Sequence, residues 1–278
     1  MPSETLGAAA DGVVGQVRVV SLLDASMPMR VDDFLGAERS ALLATTADGL
    51  APAAFNAFLL QFSDSIIMID AGGSIALERP SWILTSLKQA GFSPEQVSSV
   101  LLTHMHTDHV GGLALDGQRA FPNATIRLCE QEWNFWFSDE AMVRHPERKA
   151  TFEFSRRILT LYQDRIIKFS FGDTVWPGIT ALDASGHTPG HTVFLLESCG
   201  LRLLFLGDLL HAALWQLPNP EIYTVWDLDI AKAIASRQRL FQRAAAEQLP
   251  VAGAHLPFPG RGRLAAVDAG FIFKPGLN

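Results

Sequence analysis

Cysteine is nearly absent: Cys129 and Cys199 are the only two in 278 residues. That is too few for a disulfide framework, and they form no CxxC pair. Long apolar runs are missing as well. No stretch approaches the roughly 18 uncharged apolar residues of a membrane-spanning helix. The first 20 residues lack a basic start followed by an apolar run of signal-peptide length. Basic clusters are lacking too: 22 Lys+Arg stand against 29 Asp+Glu, a formal charge of -7, which argues against a nucleic-acid partner. There is no G-x-S-x-G elbow for a serine nucleophile, and no repeat, low-complexity tract or linker. These absences lead to the expectation of a cytoplasmic protein with no membrane or nucleic-acid partner, although a removed leader would leave no trace.

What is present is apolar material and histidine. At 48% hydrophobic and 18% charged, the chain can bury a large core, which excludes a mainly disordered protein. Length alone leaves one domain or two open; without a linker, a single domain over 1–278 is expected. Residues 1–16 are expected to lack order, and the poorly patterned segment 27–54 could form an arm or a homodimer contact. Short β-branched runs read as strands at 17–23, 58–62, 66–69, 97–102, 125–129, 165–169, 179–182, 192–196 and 201–206. Helical patterns lie between them at 80–90, 151–162 and 229–248. In the last, Ile230, Ile234, Phe241 and Ala244 would share one face, with Arg237, Gln238 and Arg239 toward solvent. Strands in both halves with helices between them suggest an α/β layer protein.

The polar segments each follow a strand, where side chains stand on a rigid scaffold yet face open space. Thr103 to His109 reads THMHTDH, four metal-competent side chains in six residues. Imidazole and carboxylate suit zinc and similar ions. Alternation at His104, His106 and Asp108 can present three ligands from one side of an extended loop, with His109 directed toward a second ion. Ser185 to His191 reads SGHTPGH; of its two histidines, one could be a ligand and the other an outer or structural group. Asp208 ends one apolar strand and His255 follows another. Asp70, before Ala71-Gly72-Gly73, could hydrogen-bond a ligand histidine or simply form a turn.

The ordered pattern His-x-His-x-Asp-His, then His, Asp and His, resembles the metallo-β-lactamase superfamily, from about Val17 onward. That resemblance implies an α/β fold of four αββα layers with a dinuclear site at one edge of the sheets. It implies His104, His106 and His191 on one ion, Asp108, His109 and His255 on the other, and Asp208 bridging both. His187 would then be an outer group and His145 incidental. The cofactors implied are two divalent ions, zinc first, with Mn, Co or Cd as alternatives. Such a pair can activate a bridging hydroxide at neutral pH.

Departures narrow the choice. His106 is not the Glu of flavo-diiron proteins, and class B β-lactamases lack the bridging carboxylate that Asp208 would supply. Only 23 residues follow His255, too few for the helical region of glyoxalase II enzymes. THMHTDHVGGL, AFPNA, SGHTPGHT, LGDLL and AHLPFPG look like the methyl parathion hydrolase group and its lactonase relatives. His211, three residues after Asp208, occupies a position where lactonases carry a polar group that can meet the carbonyl oxygen or the leaving alkoxide. Asp108, Asp208 and His211 are therefore the expected catalytic groups. Trp136 and Phe152 are expected to line an aromatic pocket for a small apolar or aromatic ester or lactone; Trp215, Tyr223 and Trp226 are further aromatics within reach. The expected function is a metal-dependent hydrolase opening lactones or cleaving aryl esters, with phosphotriester hydrolysis as a side activity. A dedicated phosphotriesterase is the rival enzyme, and a metal-holding regulatory protein on the same fold is the non-enzymatic alternative.

Overall fold

The computed structural model describes residues 7–73 and 81–276. Two seven-stranded sheets carry the architecture, and in each the spatial order follows the chain. The first holds β1 (Ala8–Val14), β2 (Val17–Ser26), β3 (Ala54–Gln61), β4 (Ile66–Ile69), β5 (Val97–Leu101), β6 (Thr125–Cys129) and β7 (Ile166–Phe169). The second holds β8 (Thr174–Trp176), β9 (Ile179–Asp183), β10 (Thr192–Ser198), β11 (Leu201–Phe205), β12 (Pro250–Ala252), β13 (Arg261–Val267) and β14 (Gly270–Pro275). Strands β4 to β7 run parallel to one another and β11 runs parallel to β12. The other neighbours are antiparallel.

The period-two alternation of strands sorts side chains into separate cores. Ile67 and Ile69 of β4 and Leu101 of β5 meet Phe194, Leu196, Leu203 and Phe205 between the sheets. From the same strands, Met68 and Val100 face outward, beneath α1 (Ile83–Gln89), α2 (Glu130–Trp136) and α3 (Lys149–Thr160). Val193, Leu195 and Leu204 on the far side are covered by α4 (Ile230–Ala246). The result is a four-layer αββα sandwich. Because central strands are buried on both faces, they read as continuous apolar runs rather than alternating ones. Each fully buried Phe or Leu there contributes about 1.5–3 kcal/mol. Among the described residues, no helix is long and apolar enough to cross a membrane.

Three expectations need correction. Residues 7–16 are ordered: Ala8–Val14 pairs with β2 in a hairpin, while residues 1–6 lie outside the described residues. Its sequence AAADGVV is rich in small residues of low strand propensity, so the strand is held by other means. Gly15 takes φ 59° at the turn, and the Arg261 guanidinium donates to the carbonyls of Ala10 and Asp11 at 3.1 and 2.7 Å. Residues 27–54 fold back on their own chain instead of projecting as an arm. Phe34 stands edge-on to Trp215, with ring centres 4.8 Å apart, inside a small fourth core.

The third concerns α4. Its buried face is Ala233, Ser236, Arg237, Leu240, Phe241, Ala244 and Ala245, and Ile230 is 42% exposed. Arg237 is inside because two of its nitrogens find backbone acceptors: Nε the Leu209 carbonyl at 2.8 Å, Nη1 those of Pro220 and Ile222 at 3.1 and 2.8 Å. Asp227 Oδ2 lies 3.7 Å from Nη2. Arg237→Met removes the cation and leaves these acceptors buried. It should destabilise the protein by about 3–5 kcal/mol in urea unfolding; a loss below about 1 kcal/mol would show that Arg237 is dispensable.

Candidate metal centre

One end of the two sheets gathers the polar segments. His104 and His106 follow β5, and Asp108 and His109 lie on the short helix Thr107–Val110. The loop between β9 and β10 carries His187 and His191, Asp208 follows β11, and His255 follows β12. The loops are tied across the sheets, since the Thr192 N–H donates to the Thr103 carbonyl at 2.9 Å.

Two sets of candidate ligand atoms result, each clustered within 4.8 Å: His104, His106, His187 and Asp208, then Asp108, His109, Asp208 and His255. Asp208 belongs to both, and its two oxygens divide between them. Oδ1 lies 2.9 Å from His109 Nε2 and 3.0 Å from His255 Nε2. Oδ2 lies 3.4, 3.2 and 3.1 Å from Nε2 of His104, His187 and His211. Asp108 Oδ2 stands 3.4 Å from His109 Nε2 and 3.5 Å from His255 Nε2.

The outward nitrogens of four of these rings are occupied. His109 Nδ1 meets Asp70 Oδ2 at 2.8 Å, His104 Nδ1 the Thr103 hydroxyl at 3.0 Å, His187 Nδ1 Asp227 Oδ1 at 2.8 Å, and His255 Nδ1 the Ala54 carbonyl at 3.2 Å. Such partners fix the tautomer and leave each Nε2 lone pair facing the centre. Asp70, in a left-handed conformation with φ 58°, also accepts from the backbone N–H and hydroxyl of Thr103. Of its two expected roles, it fills the hydrogen-bonding one.

Divalent ions suit this arrangement. His104 Nε2, His109 Nε2 and Asp208 Oδ1 are buried without a hydrogen-bond partner among the described residues. His109 Nε2 and Asp208 Oδ1 approach to 2.9 Å without bonding. Buried polar atoms left so are costly, and nitrogen and carboxylate donors converging on one point are what zinc accepts. The electrostatics agree: burial opposes charge on Asp208, but His109, His255, His104 and His211 outweigh it and hold the carboxyl well below its usual range. Burial likewise opposes charge on His187, yet without an ion hydrogen bonds to Asp208 and Asp227 outweigh it and hold the imidazole up at about 9, keeping a proton that a dication at Nε2 would displace.

The structure corrects the assignment of His191. Both its ring nitrogens are committed to backbone: Nδ1 donates to the Ala184 carbonyl and Nε2 accepts the Asp208 N–H, each at 3.0 Å. His187 stands in the first set in its place. His191 instead anchors the strand end that carries Asp208, and Gly207, with φ 52°, permits this because a Cβ there would lie 2.6 Å from His191 Nε2. Burial keeps His191 neutral, with its pKa pushed down to about 3.

Above the two sets opens a cavity of about 550 Å³, within the range of small-molecule sites. Its floor includes His106, Asp108, His187, Asp208, His211 and His255, and its apolar wall Met27, Met29, Leu50, Phe55 and Trp226. Arg30, Asp33, Arg148 and Thr151 add polar groups. Trp136 and Phe152 do not line it. Both are buried in the core beneath the first sheet, with Trp136 Nε1 donating to Glu132. The α2 aromatics turn inward because this helix packs on the sheet. Trp215 is likewise internal, its Nε1 donating to the Thr45 hydroxyl at 2.9 Å, and Tyr223 sits in a two-residue strand against Leu35. Residues 27–55 supply the wall that the aromatics were expected to form.

Sequence reasoning missed Glu132, Asp227 and Arg237. A single carboxylate four residues before Trp136 in an aromatic run was a faint sign of an internal hydrogen bond. Asp227 and Arg237 gave none, since their partners are distant in the chain.

A family model described as the metallo-beta-lactamase superfamily matches residues 53–255. Among curated proteins, an N-acyl homoserine lactonase from Bacillus cereus is 32% identical over 124 residues, 44% of this chain and 42% of that protein. The match thus spans less than half of that relative's length. Two solved structures resemble the whole chain. Hydrolase AbOPH, of the beta lactamase superfamily, is 31% identical with TM-score 0.92, covering 99% of both chains. AidC, a dizinc quorum-quenching lactonase solved in complex with a product, is 28% identical with TM-score 0.90, covering 98% of this chain and 99% of its own.

Proposed function

The chain belongs to the metallo-beta-lactamase superfamily, and from that premise we propose that it is a dinuclear metal-dependent hydrolase whose main substrates are lactones, N-acyl homoserine lactones included. The observation that carries this reading is the pair of ligand sets sharing Asp208 at the floor of an apolar cavity. His104, His106 and His187 with Asp208 would hold one ion; Asp108, His109 and His255 with Asp208 would hold the other. Zinc suits the donors best, in keeping with the dizinc lactonase relative. Two divalent ions held there would supply a nucleophile from water at neutral pH and polarise a carbonyl oxygen.

The protein's own groups do the rest. Met27, Met29, Leu50, Phe55 and Trp226 bind the apolar acyl or aryl part of the substrate and exclude water. Thr103, Asp70, Asp227 and the Ala54 carbonyl hold four imidazoles in orientation. Ring opening breaks the C–O bond and leaves an alkoxide that needs a proton. His211 is placed to stabilise it with a hydrogen bond, the proton itself coming from the water consumed. Burial keeps the imidazole neutral, with its pKa pushed down to about 4, and it lines the floor with Nε2 3.1 Å from Asp208 Oδ2. Its ring is stacked on His255, 5.1 Å between centres at 12°, and faces Trp226 at 5.3 Å. Gln216 Oε1 accepts the backbone N–H groups of His211 and Ala212, at 2.8 and 3.1 Å, which fixes the loop.

The test compares kcat/KM for an N-acyl homoserine lactone, dihydrocoumarin, a nitrophenyl ester and methyl paraoxon on one preparation. Lactones should lead, with the phosphotriester a weak side activity. A phosphotriester preferred over every lactone would make it a phosphotriesterase, and no turnover of any would revive the regulatory reading. On the same panel His211→Phe should lower kcat on alkyl lactones about 100-fold with KM little changed. The loss should be much smaller on the nitrophenyl ester, whose leaving group needs no proton. Equal losses on both would remove His211 from stabilising the leaving alkoxide.

A further inference from the structure

We propose that Glu132 is the positioning residue of the first ligand set, its carboxylate clamping together the two loops that carry His104, His106 and His187. The proposal rests on the metal-centre reading above and concerns what keeps that centre assembled.

Glu132 lies on α2, fully buried, outside the cavity and away from every reacting atom. It accepts four hydrogen bonds. Oε1 takes the Met105 N–H at 2.9 Å and the Trp136 Nε1–H at 2.6 Å. Oε2 takes the Thr188 hydroxyl at 2.7 Å and the Gly190 N–H at 2.9 Å. Met105 is the residue between His104 and His106, and Thr188 adjoins His187. Trp136, fixed by the same carboxylate, packs edge-on against His106 with ring centres 5.5 Å apart. One side chain therefore holds an immediate chain neighbour of all three histidines of the first set. The two loops come from different sheets, one after β5 and the other between β9 and β10, so no shared strand holds them in register.

The chemistry of the clamp is demanding. A buried carboxylate with no cation beside it is expensive unless every lone pair is used, and four donors use them. An apolar residue would be simpler for packing alone, but it would strand the Met105 and Gly190 N–H groups. The approach is also tight: a Cβ on Gly190 would lie 2.3 Å from the Glu132 nitrogen. No Glu132 bond reaches the second set, which leans on Asp70 and the Ala54 carbonyl instead.

Glu132→Gln keeps the shape but turns an NH2 group toward two of the four donors. Zinc is the probe, and affinity is read by chelator competition with metal analysis, a readout independent of turnover. One of the two zinc ions should bind about 10–100-fold more weakly and the other as in the parent. Thr188→Val should show the same one-site loss, smaller, with the melting temperature of the metal-free protein within about 4 °C of the parent's. If Glu132→Gln does not fold, Thr188→Val decides. On a His187→Ala background, Glu132→Gln should add little further loss, because the site it holds is already broken. Parental affinity at both sites in the folded variants would overturn the proposal. So would an equal loss at both sites that tracks a fall in metal-free melting temperature. A one-site loss in a protein that opens no lactone would leave the clamp standing and sink the lactonase reading.

Discussion

Asp208→Ala should lower kcat/KM on the best lactone by at least about 10³-fold, the upper end of what losing one electrostatic stabiliser costs elsewhere. The expectation follows from the division of its carboxylate. Oδ1 faces His109 and His255, Oδ2 faces His104 and His187, and among the described residues no second carboxylate reaches both sets. Without it, five imidazoles and Asp108 would have to hold two dications with a single negative charge. Like charges close together in a buried site repel strongly, so metal analysis should find one zinc or fewer per chain instead of two. Parental turnover by an Asp208→Ala protein carrying no metal would end the dinuclear account.

Stripping the metal should have a comparably large effect on stability. Two sites, each at about 100 times its Kd, contribute roughly 2.7 kcal/mol apiece by mass action. At about 2–4 °C per kcal/mol, the chelated protein should melt some 10–20 °C lower, and zinc should restore both the melting temperature and activity. The ligand atoms come from segments as far apart as His104 and His255, on strands of both sheets, so bound ions act as cross-links between layers. Superimposable calorimetric traces with chelator and with zinc would show that neither set holds an ion.

Much of this organisation was legible in the sequence. The nine apolar runs read as strands all appear, and β4 and β6 have the limits that the pattern set. Strands buried on both faces advertise themselves by continuous β-branched and aromatic residues. The edge strand β1 was not visible, because its Ala, Asp and Gly carry little strand propensity and backbone pairing with one arginine holds it in place. His104, His106, Asp108, His109, Asp208 and His255 were legible as a group since each follows a strand end. His187 and His191 were not separable. Both are buried imidazoles in one turn, and only the three-dimensional path shows that His191 spends both nitrogens on peptide groups. The pocket aromatics failed for a related reason: residue type reveals an apolar face, but not whether it meets a cavity or the sheet below. Arg237 failed because carbonyls from Leu209, Pro220 and Ile222 outweigh its preference for water.

The small core that seats residues 27–55 against Trp215 and Ile222 shares no member with the cores of the sandwich. Changes at distant, independent sites add rather than compound. Substitutions at Met27, Met29 or Leu50 can therefore reshape the chamber while the chemical machinery below is spared. Phe55, edge-on to His255 at 5.0 Å, and Trp226, beside His211, tie wall to floor, so Met27, Met29 and Leu50 are where this chain could move from one acyl length to another.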